Sequence, residues 1–157
     1  MKAASLNEVK KELQNLDADV LRDLCMRLAK YKKENKELLT YLLFEAHNEQ
    51  SYVESVKEDL NELFAGLPPS NVYLIKKVLR KILRVANKQI KYSGIKQTEL
   101  ELRMFFCAKV KEARVPLNTG TVLYNLYHQQ LKKINEVLEK MPEDLQADYE
   151  RDLSLIR

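Results

Sequence analysis

Tryptophan is absent from this chain of 157 residues, and backbone breakers are scarce, with three glycines and four prolines. An all-β protein needs frequent Gly- and Pro-bearing turns, and a disordered chain lacks apolar residues. A composition of 45% apolar and 32% charged residues with so few breakers fits neither class. The opening MKAASLNEVKKEL has no apolar core of signal-peptide length, and nothing approaches the ~20 apolar residues of a membrane span. The longest candidate, ELLTYLLFEAHN, is short and bounded by charge. No membrane role is expected.

Cysteine and histidine are equally sparse. Cys25 and Cys107 lie far apart in no metal or redox spacing, so both are expected to be reduced core thiols of a cytoplasmic protein. FEAHNEQ gathers Glu45, His47 and Glu49, yet positions two apart diverge on a helix and only the two glutamates share a face. No Glu-x-x-His or His-x-x-x-His pattern occurs, and no serine–histidine–acid or cysteine–histidine set can be assembled from His47 and His128. No catalytic residue, cofactor, metal site or small-molecule substrate is inferred. A non-enzymatic protein is expected.

What the chain does contain is helix-forming residues, dominated by Ala, Leu, Glu, Lys, Gln and Arg. Three segments begin like capping boxes, SLNE at Ser5, SYVE at Ser51 and TELE at Thr98. Stops stand at FAGLPPS, at Gly94, at Pro116 and at Pro142. Together these predict helices over 5–15, 18–31, 35–49, 51–65, 70–92, 98–114, 119–141 and 143–155. The helical spacing of Leu24, Leu28, Tyr31, Asn35, Leu38 and Leu42 runs through KYKKENKE without a breaker, so the second and third helices are alternatively one. The expected fold is all-α: seven or eight antiparallel helices as stacked helical hairpins of roughly forty residues, in one domain over 1–157. No self-similarity links the hairpins, and an α–α superhelix and a compact bundle both fit.

The charge is uneven. The net +4 of the chain conceals a stretch from Ser70 to Arg114 with twelve basic residues against three acidic ones. On a helical wheel of residues 70–92, Val72, Leu74, Ile75, Val78, Leu79, Ile82, Leu83, Val85, Ala86 and Ile90 fall on one side. Lys76, Lys77, Arg80, Lys81, Arg84, Lys88 and Lys91 fall on the other, without a carboxylate. Lys77–Lys81, Arg80–Arg84 and Arg84–Lys88 are like-charged pairs one turn apart, which destabilise a helix mildly. Two readings follow. Glu54, Glu58 and Glu62 on the preceding helix pair with the stripe and make it structural, or the stripe is a bare surface for a polyanion such as nucleic acid.

The next helix has two apolar strips, Leu102, Phe106, Val110 and Ala113 against Leu100, Met104, Cys107 and Ala108, as a helix sandwiched between neighbours does. Arg103 and Arg114 share a bearing between the strips. Their heads are expected to reach water along packed stems, or to line a groove and receive an anion. Gln130 falls inside the apolar arc of the following helix and requires a partner. The first functional expectation is a helical interaction or scaffold protein that recognises a protein partner or itself. The alternative is polyanion binding through Lys77, Arg80, Lys81, Arg84, Lys88, Lys91, Arg103 and Arg114.

Overall fold

A computed structural model describes residues 1–157. The chain is all-α, with eight helices and no strand. They are α1 (Leu6–Gln14), α2 (Ala18–Tyr31), α3 (Lys33–Thr40), α4 (Glu49–Ala65), α5 (Val72–Ser93), α6 (Lys96–Glu112), α7 (Val122–Leu138) and α8 (Glu143–Ile156), with a π-helical turn, Tyr41–Glu45, after α3. None is long and apolar enough to cross a membrane. The contacts group into two compact units, residues 1–44 and 45–157.

In the first unit, α2 packs on α3. The two are separate helices, because Lys32 alone takes an extended backbone (φ −140°, ψ 146°) and turns the chain. Asn35 then donates its side-chain N–H to the Leu28 carbonyl at 2.8 Å, satisfying an acceptor left open at the end of α2. The expected helix over 35–49 is instead α3 plus the π-helical turn, and it stops before Asn48. Only Ala29 and Tyr41 are buried in this unit. Cys25, expected in a core, is exposed.

The second unit is a bundle built around α6, which packs against α4, α5, α7 and α8. Those partners are its own hairpin mate α5 and members of the hairpins before and after it, as the expected stacking of helical hairpins into a compact bundle requires. The two apolar strips of α6 explain it: Leu100, Leu102, Phe106 and Cys107 are fully buried on different bearings. Phe106 meets Phe64 of α4 at 5.7 Å between ring centroids. α4 and α5 run antiparallel, with the Tyr52 hydroxyl near the start of one bonded to Gln89 near the end of the other.

The capping signals separate into one that forms and two that do not. Ser5 accepts from the Glu8 N–H while its own N–H donates to Glu8 Oε2, completing a capping box. At α4 the cap is Asn48, three residues upstream of Ser51, and it accepts the Ser51 N–H at 3.1 Å. Thr98 lies inside α6, buried, with its hydroxyl donating to Glu49 Oε1 at 2.6 Å. Ser93 donates to the same oxygen, so one carboxylate at the start of α4 ties down the turn between α5 and α6. Gly94 makes that turn possible, closing α5 with a left-handed backbone (φ 68°) that a side chain would strain.

Candidate functional site

The basic stripe rides on one unbroken helix of 22 residues. Ile75, Leu79, Ile82, Ala86 and Ile90 are its buried face, recurring every three or four residues, and this fixes the bearing of everything opposite. Lys77, Arg80, Lys81, Arg84 and Lys91 are exposed, and none has a carboxylate within 4.0 Å. Lys76 is half-buried with its ammonium over the Tyr73 ring at 5.2 Å, and Lys88 is half-buried and engaged in an interaction of its own.

Glu54, Glu58 and Glu62 do not cover this stripe. Glu54 pairs with Lys57 on its own helix at 3.3 Å, and Glu58 and Glu62 face solvent without an ion pair. The preceding helix buries Tyr52, Val53, Val56, Leu60 and Phe64, and that choice of face turns its acidic ladder elsewhere. The like-charged pairs Lys77–Lys81 and Arg80–Arg84 therefore have no carboxylate from this chain between them.

Beside the stripe, α5 and α7 enclose an open groove of about 820 Å³. Arg80 and Arg84 line it from α5, and Lys132 and His128 from α7. Asn87, Asn125 and Gln129 add amides, and Leu83, Val122 and Leu126 supply an apolar wall; no acid lines it. Lys132, Gln129 and Asn125 recur at helical spacing on the polar side of α7. His128 stacks on Tyr124 with ring centroids 4.0 Å apart, which holds the imidazole at the rim. No cluster of three or more His, Cys, Asp or Glu side chains has a metal-binding arrangement.

Neither of the two outlying arginines lines this groove. Arg103 is buried and does not snorkel; it stands at the floor of a small separate hollow between α6 and α7, where the anion it receives is the Glu99 carboxylate. Its guanidinium donates to Asn87 Oδ1 at 3.0 Å, to Gln130 Oε1 at 2.9 Å and to Glu99 Oε1 at 2.8–2.9 Å. Those partners come from α5, α7 and its own helix, so Arg103 is an internal clamp with all three nitrogens engaged, and it is the partner that buried Gln130 required. Arg114 stands beyond the end of α6 with a left-handed backbone (φ 54°), so a wheel drawn through Arg103 does not give its bearing.

Of the eight basic residues singled out in the sequence, Arg80 and Arg84 meet at the groove, and Lys77, Lys81 and Lys91 extend the same face of α5. The sequence reading missed Lys132, His128, Asn125 and Gln129. The signal was present, since these residues form the arc of α7 opposite its buried Leu123, Tyr127 and Ile134. No protein-family model matches the chain, and no curated protein or solved structure matches it either.

Proposed function

We propose that this chain is a non-enzymatic binding protein that holds a nucleic-acid phosphate backbone along α5 and in the groove between α5 and α7. The observation that carries the reading is the set of five exposed cations on one helix with no carboxylate partner, two of which meet Lys132 in a groove without an acid. From Lys77 to Lys91 the row runs about 20 Å at ~1.5 Å per residue, long enough for several consecutive phosphates. Phosphate oxygens would replace the counterions that now relieve the repulsion between neighbouring cations. Asn125 and Gln129 add carboxamides at the groove, and a carboxamide suits the edge of adenine. The exposed, unpaired thiol of Cys25 fits a reducing cytoplasmic setting.

The test is titration of mixed-sequence duplex and single-stranded oligonucleotides at several salt concentrations. Affinity for duplex DNA is expected to fall with log salt at a slope near −0.9 for each phosphate contacted. The triple substitution Arg80→Glu, Arg84→Glu and Lys132→Glu should abolish binding with helicity unchanged. No binding at low salt, or binding that survives the triple substitution, overturns the proposal. Recognition of a protein or of a second copy is the other binding role, and the exposed apolar residues of the first unit favour it.

A further inference from the structure

The apolar residues of α2 are at the wrong address for a folded unit. Val20, Leu24, Leu28 and Tyr31 keep 41%, 39%, 62% and 77% of their surface exposed. They recur at helical spacing and form one strip, and the adjoining edge turns toward α3, where Cys25, Ala29 and one side of Leu28 line a hollow with Leu38 and Leu39. With only Ala29 and Tyr41 buried in residues 1–44, this strip has no core of its own to enter. A contiguous apolar strip bordered by charge marks a surface that another molecule covers.

The charges beside the strip say which molecule. On one flank, Asp19 and Asp23 occupy the first half of α2, and Arg27 and Lys30 the second half. When two helices pack antiparallel about a twofold axis, each flank meets the same flank of the other helix with its order reversed. Asp23 then meets Arg27 of the second copy, Asp19 meets Lys30, and each contact occurs twice. Val20 falls opposite Leu28, and the axis passes beside Leu24. A parallel pair would set these charges against the edge that holds Leu21 and Cys25, which carries none. Asp23, Arg27 and Lys30 make no ion pair within the chain, and Asp19 reaches only Arg22, an exposed contact that is readily exchanged.

We propose that α2 is a self-recognition helix, whose Val20–Leu24–Leu28–Tyr31 strip docks antiparallel on the same strip of a second copy. The proposal is independent of the basic groove and rests on a different unit. Such an interface is isologous and closes after two copies, so it yields dimers and not filaments.

Sedimentation of the full chain over a range of concentrations tests it. The expected species is a dimer of twice 18.4 kDa. Leu24→Asp with Leu28→Asp should give a monomer of unchanged helicity. The charge pattern supplies the sharper measurement, one that does not depend on disturbing an apolar residue. Asp23→Arg alone and Arg27→Asp alone should each weaken self-association by roughly tenfold or more, since each places like charges opposite one another twice. The double exchange Asp23→Arg with Arg27→Asp should restore it. A monomer throughout the range, or a dimer whose stability ignores both single exchanges, overturns the proposal. So does a double exchange that fails to recover the dimer.

Discussion

Arg103 and Gln130 meet inside the second unit, with the guanidinium Nη1 donating to the amide Oε1 at 2.9 Å and both side chains buried. The same nitrogen donates to Asn87, and the other side of the guanidinium grips Glu99. One positive charge thereby links α5, α6 and α7, and it does so just behind the groove, since Asn87 also lines it. No buried side-chain polar atom is left without a partner.

Removing that charge leaves three polar groups short of a donor. Arg103→Met is expected to destabilise the protein by about 3 kcal/mol, because Gln130, Asn87 and the partly buried Glu99 all lose it together. Gln130→Leu should cost about 1 kcal/mol, since Arg103 keeps its other acceptors. The two effects should not add. Urea unfolding of both single variants and the double gives the coupling, and strict additivity would contradict the clamp.

Much of this was legible in residue spacing. Five residues of α5 are buried at intervals of three or four, and the wheel alone separates them from the cations. The sandwiched position of α6 follows from its two apolar strips. The fate of Arg103 did not follow, because a wheel gives a bearing and not what stands there; that Asn87 and Gln130 arrive at one guanidinium is settled by tertiary packing. The groove was invisible for the same reason, half of it coming from a helix with an ordinary-looking polar side. Ser51 and Thr98 misled because a hydroxyl followed by glutamate caps a helix only when nothing better competes. Asn48 capped α4 first, and Thr98 donates its hydroxyl to Glu49 instead.

A surface kept for an anion should be relaxed when its charge is broken. Arg84→Glu converts the like-charged pair with Arg80 into an opposite one, worth roughly 0.2–0.5 kcal/mol on an exposed helix face. Stability should therefore rise slightly while affinity for an oligonucleotide falls. Chemical unfolding and oligonucleotide titration of one variant read the two signs. A fall in both would assign Arg84 to structure.

The carboxylate of Glu49 predicts a third effect. Thr98 donates to it from a buried position, and Ser93 donates to the same oxygen. Thr98→Val keeps the shape and removes the hydroxyl, so the loss reports the hydrogen bond to a charged acceptor, about 1.5 kcal/mol. Ser93→Ala combined with Thr98→Val should cost more than either alone. Urea midpoints measure both, and a neutral Thr98→Val would show that the turn between α5 and α6 is held by Gly94 and packing.

The two thiols should behave as opposites. Cys25 is exposed, whereas burial pushes the Cys107 thiol up to about 12, with Arg103 and Lys111 opposing the shift. Thiolate is the reactive form, so a maleimide at pH 8 should label Cys25 at once and Cys107 only when the second unit opens. The same shift has a consequence for stability. The unfolded thiol titrates near its ordinary value of 9.0, so above that pH the unfolded chain gives up a proton that the folded chain keeps. Stability from this group is complete below pH 9 and is lost as pH rises toward 12, at on the order of 1 kcal/mol per pH unit. Burial raises Tyr127 in the same direction, and it begins to contribute only above the ordinary tyrosine value of 10.0. Between pH 9 and pH 10, then, Cys107 dominates the change. Urea unfolding across that interval should show a steep decline in the native chain and a nearly flat response in Cys107→Ala, whatever offset the lost sulfur introduces. Equal slopes would mean that the Cys107 thiol is less shielded from water than its complete burial implies.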